Sequence, residues 1–368
     1  MSPSGPLVVL CVNSGSSSLK TALFEVDGAA ERALARAAHP VDSGDYTAAL
    51  DAALVSFDAQ GLPLPGAAGH RVVHGGPHHA EPALVDDHVL SDLQELVPFA
   101  PLHMPAAIAG IDAIRDRWDI PQVACFDTAF HRHMPELAQR LPLPDSLWDV
   151  GVRRYGFHGL SYEYIVGALG AVQLGRAVIA HLGNGASMVA VDGGQSVDTT
   201  MGFTPAGGLV MSTRSGDLDP GVPVYLLREQ GYDPDRLEQL VDREAGLVAL
   251  SGDTSDMQVL LKRRERDRRA ALAVDAFCYQ ARKHVGALAT VLGGLDTIVF
   301  TGGIGEKAAA VRAGICDGLE HLGVELDDAA NAADAGVISA PGGGCVVRVE
   351  RTDEDLVIAR HTGALVAR

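Results

Sequence analysis

Basic residues are scarce in this chain. Its 368 residues hold 29 Lys and Arg against 47 Asp and Glu, a net charge of −18 at neutral pH. A surface of that sign repels a phosphate backbone, so nucleic-acid binding is not expected. Aromatic residues make up only 5%, too few to suggest platforms for stacking bases. The five cysteines (Cys11, Cys125, Cys278, Cys316 and Cys345) are odd in number and form no C-x-x-C pair. They read as reduced core thiols rather than as a disulfide framework or a metal site. No apolar run approaches the ~18–20 residues that cross a bilayer. The start, MSPSGPLVVLCVNSG, lacks a basic segment followed by a long apolar one and a small-residue cleavage site. The expectation is a soluble, cytoplasmic protein that contacts neither nucleic acid nor membrane.

What the chain does have is apolar content, 47%, together with 42 Gly and 19 Pro. That is enough to bury a core in about two domains, with many tight turns. Low-complexity linkers are absent. Laid against itself, the chain shows a repeat. Residues 7–26, LVVLCVNSGSSSLKTALFEV, read as a strand, a small polar turn and a second strand; residues 177–197, AVIAHLGNGASMVAVDGGQSV, follow the same plan. Each bend is rich in Asn, Gly and Ser, which tolerate tight or positive-φ geometry. Two such hairpins point to a duplication, one copy opening each of two similar domains. A third glycine cluster, TGGIGE (301–306), follows the strand TIVF and leads into an expected helix over 306–321. Apolar runs such as QVACFDTAF (122–130) alternate with helical patterns such as MPAAIAGIDAIRDRW (104–118), and 255–292 reads as one long helix or a broken pair. Strands alternating with helices give an α/β architecture. The run KRRERDRR (262–269) reads either as a solvated helix face or as an anion-binding patch.

Loops of Gly, Ser and Asn between strands turn several backbone N–H groups toward one anion. NSGSSSLK (13–20) adds three hydroxyls and Lys20, LGNG (182–185) offers bare backbone, and GGIG (302–305) precedes a helix. Each is an ordinary turn on its own; three in one chain, two of them in the repeat, point to a nucleotide site. The pattern G-x-x-x-x-G-K-[ST] is missing, so the site is not a P-loop. GIGEKA (303–308) fits the dinucleotide form G-x-G-x-x-A, yet too few residues follow it for a Rossmann domain. Arg71, inside the apolar run GHRVVHGG, and Arg214, in MSTRSGDLDPG, sit where a guanidinium grips a carboxylate or phosphate by its fork. His158 in YGFHG and His181 in HLGNG flank glycine turns, where an imidazole donates to a phosphoryl oxygen. The pairs His70/His74 and His131/His133 lack a carboxylate that would complete a zinc-protease motif. Asp127 closes an apolar run, at a strand end that faces a crevice. Glu354 falls in the first turn of the last helix, either as a helix-stabilising acid or as a site residue. Asn13 reads as a turn residue or a ligand.

These segments, with APLHMP (100–105), RRYGFHG (153–159) and TDEDLVIAR (352–360), occur together in one order. The sequence thereby resembles the acetate kinase family, of the acetate and sugar kinase/actin-like superfamily, over nearly its full length. The resemblance implies two duplicated actin-like (ribonuclease H-like) domains with a nucleotide cleft between them. Residues 1–130 plus 355–368 would form the first domain and 131–354 the nucleotide-binding one. It implies reversible transfer of the ATP γ-phosphoryl group to acetate with Mg²⁺ (or Mn²⁺), acetate and ATP/ADP as partners, and a homodimer. Asn13 and Glu354 would be the magnesium-site residues. Arg71 would bind acetate, with Val73, Leu102, Phe157 and Pro205 forming the methyl pocket. Asp127, His158 and Arg214 would be catalytic. Lys20, Ser16, Ser18, His181, Leu182, Gly183, Asn184, Gly185, Asp256, Met257, Gln258, Gly303, Ile304, Gly305, Glu306 and Lys307 would contact the nucleotide.

Departures from the family pattern are local. TPLEGL reads TPAGGL (204–209), MGTRSGD reads MSTRSGD (211–217), FHGTSH reads FHGLSY (157–162), and GIGEN ends in Lys307. Asp256-Met257-Gln258 replaces Asp-Phe-Arg or Asp-Met-Arg. The chain also runs shorter than the usual member between the first loop and Arg71. These changes spare the phosphoryl-transfer core and bear on nucleotide preference and efficiency. The alternatives are a kinase preferring propionate or butyrate, or a catalytically weak member with altered nucleotide preference.

Overall fold

A computed structural model of the chain describes residues 5–15, 18–28, 30–41 and 45–367. They gather into two compact units. One comprises Met1–Arg132, Phe157–Tyr164 and Asp353–Arg368; the other His133–Gly156 and Ile165–Thr352.

The first unit is built on a six-stranded sheet of β1 (Leu7–Ser14), β2 (Ser18–Asp27), β3 (Ala30–Pro40), β4 (Ala67–Val72), β5 (Ala83–Leu84) and β6 (Gln122–Phe126), in the order β3-β2-β1-β4-β6-β5. β1, β2 and β3 run antiparallel in turn, while β4 and β6 extend the sheet parallel to β1. The hairpin of residues 7–26 forms, with more strand than expected. Asn13 and Ser14 still belong to β1 and pair with Lys20 and Leu19 of β2.

Side chains alternate across the strand, so β1 feeds two cores. Leu10 and Val12 join Leu19, Leu23, Leu50 and Ile114 on one face, under helices Tyr46–Asp58 and Met104–Arg117. Val9 and Cys11 join Phe24, Val123, Cys125 and Ile358 on the other, under the last helix, Glu354–Val366. That helix starts where Asp353 accepts from the Leu356 N–H, with Glu354 and Asp355 in the first turn, as the helix dipole favours. It lies close on β4 because Gly69 has no side chain. A Cβ there would stand 2.2 Å from Thr362 Oγ1 and 2.5 Å from Ile358 Cγ2.

The second unit repeats the plan with β7 (Ala177–Leu182), β8 (Ala186–Asp192), β9 (Gln195–Thr199), β10 (Thr297–Thr301) and β11 (Val346–Val349), in the order β11-β10-β7-β8-β9. Read outward from β7, this is the arrangement around β1: two antiparallel neighbours on one side and two parallel ones on the other. Gly193 and Gly194, at φ 56° and 80°, make the two-residue turn between β8 and β9. Residues 255–292 prove to be a broken pair, Met257–Arg263 and Arg268–Val291, with Asp267 capping the second helix. Half of the bases in the run 262–269 are paired with neighbours. Arg263 pairs with Asp253 and Asp267, Arg264 with Asp275, and Arg269 binds the Ala249 carbonyl. Lys262, Arg264, Arg266, Arg268 and Arg269 are exposed, as a solvated face of mixed charge is. All five cysteines are free and buried. Among the described residues, no helix is long and apolar enough to cross a membrane.

The close approach at Gly69 yields a test. Gly69→Ala should destabilise the protein by about 1–3 kcal/mol through overpacking, read as a lower urea midpoint. Thr362→Ala in the same chain should restore part of the loss by removing the nearest atom. An unchanged midpoint in Gly69→Ala would mean the helix moves away without penalty.

Candidate functional site

In both units the polar residues gather at the C-terminal ends of the parallel strands, where an α/β sheet opens its crevice. In the first unit β1 ends on Asn13 and Ser14, β4 carries Arg71, and β6 leads into Asp127, whose N–H donates to the Val72 carbonyl at 2.9 Å. Arg71 holds Asp127 by its fork, Nε to Oδ1 at 3.1 Å and Nη2 to Oδ2 at 2.5 Å. Its Nη1 reaches Asn13 Oδ1 at 3.4 Å, and Nε lies 3.7 Å from Glu354 Oε2. Arg71 is 21% exposed, Glu354 17% and Asp127 1%. Burial pushes the Asp127 carboxyl up to about 6, against the pull of Arg71. Burial also works against the Arg71 charge, but Asp127 and Glu354 more than offset it and hold its pKa above the ordinary arginine value. Since Asp353 is the cap, the Glu354 carboxylate is left to face Arg71. Asn13 and Glu354 together offer one neutral and one anionic oxygen donor, the hard set a magnesium ion takes.

His158 stands against this cluster through the backbone. The Gly159 N–H donates to the Asp127 carbonyl at 2.8 Å, and a Cβ on Gly159 would stand 2.2 Å from that oxygen. The turn leaves buried His158 at φ 59°, a left-handed conformation unusual outside glycine. His131 donates to the Phe157 carbonyl at 3.1 Å, and burial lowers its pKa to about 4. His70, lowered to about 4 by burial, bonds Gln122 at 2.7 Å. Both histidines are neutral core groups. No set of three or more His, Cys, Asp or Glu among the described residues is placed to hold a metal by itself.

Of the pocket residues, Val73 and Phe157 are buried and Leu102 partly so. His74 meets the rings of Phe99 and Phe157 edge-on, at 5.3 and 5.4 Å. Lys20 is exposed and faces Asn13 across the hairpin. The Ser18 carbonyl accepts from Gly15, closing the turn. Ser16 lies outside the described residues.

In the second unit β7 and β10 run side by side with His181 next to Thr301, so the turns 182–185 and 302–307 leave adjacent strand ends. Gly302, at φ 76°, turns straight into a helix, and a Cβ there would stand 2.8 Å from the Leu182 carbonyl. The helix expected over 306–321 therefore begins earlier and in pieces, Gly302–Lys307 and then Ala309–Cys316. Gly303, Ile304, Gly305, Glu306 and Lys307 are themselves helical. In the other turn Leu182 is buried, and the Gly183 N–H donates to the Gly185 carbonyl.

Arg214 sits in a loop fixed from several sides. Its Nη1 donates to the Pro205 carbonyl at 2.7 Å. Thr213 Oγ1 and the Ser215 N–H bond the carbonyls of Asp242 and Val241, in a π-helical turn of Leu240–Glu244. The Ser212 N–H donates to the Asn184 carbonyl at 3.1 Å, tying this loop to the 182–185 turn. Burial raises the Asp242 carboxyl, against the pull of Arg214. Asp256 caps the helix of Met257–Arg263, accepting from Gln258 and Val259. The Met257 side chain is buried and Gln258 is exposed.

Arg312 escaped the sequence reading. In a helical pattern an arginine reads as surface, yet this one is fully buried. Its guanidinium donates to the carbonyls of Gly305 (2.9 Å) and Glu306 (3.0 Å), to Asn331 Oδ1 (2.8 Å) and O (2.7 Å), and to Asp334 Oδ1 (2.5 Å). One side chain thus holds the glycine turn from behind.

The sequence profile of the Acetokinase family matches residues 30–360. The acetate kinase of Methylocella silvestris is 50% identical over 305 residues, covering 82% of this chain and 75% of that one. That of Pseudarthrobacter chlorophenolicus is 44% identical over 386 residues, covering 98% and 99%. Among solved structures, the acetate kinase of Porphyromonas gingivalis superposes with a TM-score of 0.85 at 34% identity, over 98% of this chain and 100% of that one. A propionate kinase of Francisella tularensis gives 0.89 at 32%, over 97% and 99%. The two-sheet architecture is that of these enzymes.

Removing the Arg312 guanidinium takes a donor from each of five acceptors, of which the Asn331 carbonyl keeps the Asp334 N–H. Arg312→Ala should cost about 3–5 kcal/mol, measured by urea unfolding. Arg312→Lys should recover only a minor part, since one ammonium cannot span acceptors on two segments. Near-wild-type stability in either variant would show that water or neighbours replace the cation.

Proposed function

Because the chain belongs to the Acetokinase family, we propose that it is an acetate kinase, transferring the ATP γ-phosphoryl group reversibly to acetate to give acetyl phosphate and ADP. Acetate resembles a Glu side chain, whose ordinary pKa is about 4.3, so the nucleophile is an anion at neutral pH. Deprotonating it is not the difficulty. The difficulty is bringing two anions together and holding them in line.

The residues meet that demand with fixed positive charge. Arg71 binds the acetate carboxylate, with Val73, Leu102, Phe157 and Pro205 around the methyl group. Asp127 acts chiefly by orienting Arg71, and the observation that carries this role is the two-bond fork at 3.1 and 2.5 Å. Arg214 and His158 answer the charge that spreads over the phosphoryl oxygens in the transition state. Lys20, with residues 181–185, 256–258 and 303–307, holds the nucleotide. Asn13 and Glu354 would hold magnesium, which when bound supplies positive charge beside the β- and γ-phosphates. The metal is proposed as Mg²⁺, with Mn²⁺ as a substitute.

A homodimer is part of the same proposal. Helix Gly221–Glu229 has no buried residue, and Val222, Val224, Tyr225 and Leu227 are 40–54% exposed. An apolar helix of this kind is the surface a second copy covers. Sedimentation should give twice the 38.4 kDa of one chain, and Tyr225→Glu should shift the protein toward monomer.

The activity is tested with purified protein, ATP, Mg²⁺ and an acid series from formate to butyrate, trapping acyl phosphate with hydroxylamine. Acetate should give the highest kcat/KM. A higher value for propionate or butyrate would move the assignment toward the longer acids, and no acyl phosphate at all would end it. Arg214→Ala should lower kcat by roughly 10²–10³-fold, or ~2.7–4 kcal/mol, with a much smaller change in the KM for acetate. Arg214→Lys should rescue little, because a point charge does not reproduce the planar fork. Near-normal turnover in either variant would remove Arg214 from its role.

A further inference from the structure

The last helix begins in a run of three acids, Asp353, Glu354 and Asp355. Beyond the Asp353 cap, nothing in the known motifs accounts for how the carboxylates of its first turn are held. The answer lies in β3, an edge strand outside every motif. Arg36 of β3 donates Nη2 to Asp353 Oδ2 at 2.5 Å and Nη1 to Asp355 Oδ2 at 3.1 Å. One guanidinium therefore grips the carboxylates on both sides of Glu354. Both partners are already fixed: Asp353 uses its other oxygen as the helix cap, and the Asp355 carbonyl accepts from the Cys11 thiol at 3.2 Å.

A bulge in the hairpin makes the grip reachable. The β2–β3 register pairs Ala22 with Arg36 and Leu23 with Ala35, then Phe24 with Ala33, leaving Leu34 as the extra residue. Side chains alternate along a strand, so one inserted residue exchanges faces beyond it. Glu31, opposite Val26, and Arg36, opposite Ala22, thereby share the face of Ala22, Phe24 and Val26 that the last helix covers. Arg36 lies over the Phe24 ring at 5.6 Å, and Glu31 binds Arg360 Nε at 2.6 Å farther along the helix. An isolated exposed ion pair is worth little. Two carboxylates held at once, against a ring, form a fixed network.

We propose that Arg36 is a positioning residue for the magnesium site, holding the first turn of the last helix in the register that presents Glu354 to Arg71 and to the metal. The proposal rests on the reading of Glu354 as a magnesium-binding residue, and it assigns Arg36 no contact with substrate. Arg360 supplies the internal control, since its ion pair joins the same strand and helix farther from Glu354.

The experiment titrates ADP calorimetrically into the purified protein over a range of free Mg²⁺, giving the Mg²⁺ affinity of the ADP complex without turnover. Arg36→Ala should weaken Mg²⁺ about tenfold, the lower end of what a partner of a metal ligand carries. Arg36→Lys should restore little of it, because one ammonium does not bridge both carboxylates. Arg360→Ala should lower thermal stability while Mg²⁺ affinity stays at the wild-type value. Unchanged Mg²⁺ affinity in Arg36→Ala would overturn the proposal, as would an equal loss in Arg360→Ala, which would make the effect a general loosening of the helix. Glu354→Gln separates the two layers. If it leaves Mg²⁺ affinity intact, the reading of Glu354 fails; if it weakens binding while Arg36→Ala does not, only the role of Arg36 fails.

Discussion

A guanidinium and a carboxylate set side by side at the ends of two parallel strands govern the first unit. Taking either charge out of water alone is expensive, and their attraction repays that only with good geometry and with the remaining donors used. Arg71 and Asp127 satisfy the condition through the β4–β6 ladder, which fixes both backbones, and through Asn13 and Glu354, which take up the rest of the fork. On the proposed reading, Arg71 is the group that meets the substrate anion. A guanidinium already surrounded by oxygen acceptors meets a substrate carboxylate by exchanging one partner for another of the same kind, with little reorganisation.

Duplication supplies the second set of groups by the same geometric route. The strand order around β1 recurs around β7, and in each copy it is the C-terminal ends of the parallel strands that carry chemistry. The two copies have diverged in what they present. The first offers charged side chains, Arg71, Asp127 and Glu354, which the proposed function assigns to a small carboxylate and a cation. On the proposed reading the second offers Arg214 together with the turns 183–185 and 302–305, whose backbone N–H groups suit phosphates. Behind the 302–305 turn stands Arg312, and the Arg214 loop rests on the π-helical segment of 240–244, a conformation often found at functional sites.

Much of this was legible in the sequence because local and global signals agree there. The hairpins of 7–26 and 177–197 show alternation bounded by Asn, Gly and Ser. Asp127 closes an apolar run, and Glu354 falls in the first turn of the last helix. The unread parts are those where tertiary context overrides local preference. Ala30–Pro40 is composed largely of helix-favouring residues, yet it forms β3 because β2 offers a ladder. Arg312 is charged in a helical pattern, and only the fold reveals the carbonyls that justify burying it. Gly302 was read as a turn before a helix, while its left-handed φ begins the helix at once. The bulge at Leu34 leaves no sequence mark, since register is a property of two strands rather than one.

The packing of the last helix also constrains how the chain matures. Cys11 bonds Asp355 across 344 positions of sequence, and Val9, Phe24 and Cys125 pack with Val357, Ile358 and Ala359 as well as with Leu160. A ribosome that has finished the residues of β1 to β6 has therefore not finished the first unit. Part of one face of its sheet is covered only by the last helix, by which time all residues of the second unit have been synthesised. Non-local closure of this kind is slow and leaves sticky surface in the interim. A chain ending before Asp353 would lack Val357, Ile358 and Ala359 and would leave the part of the sheet they cover apolar and exposed.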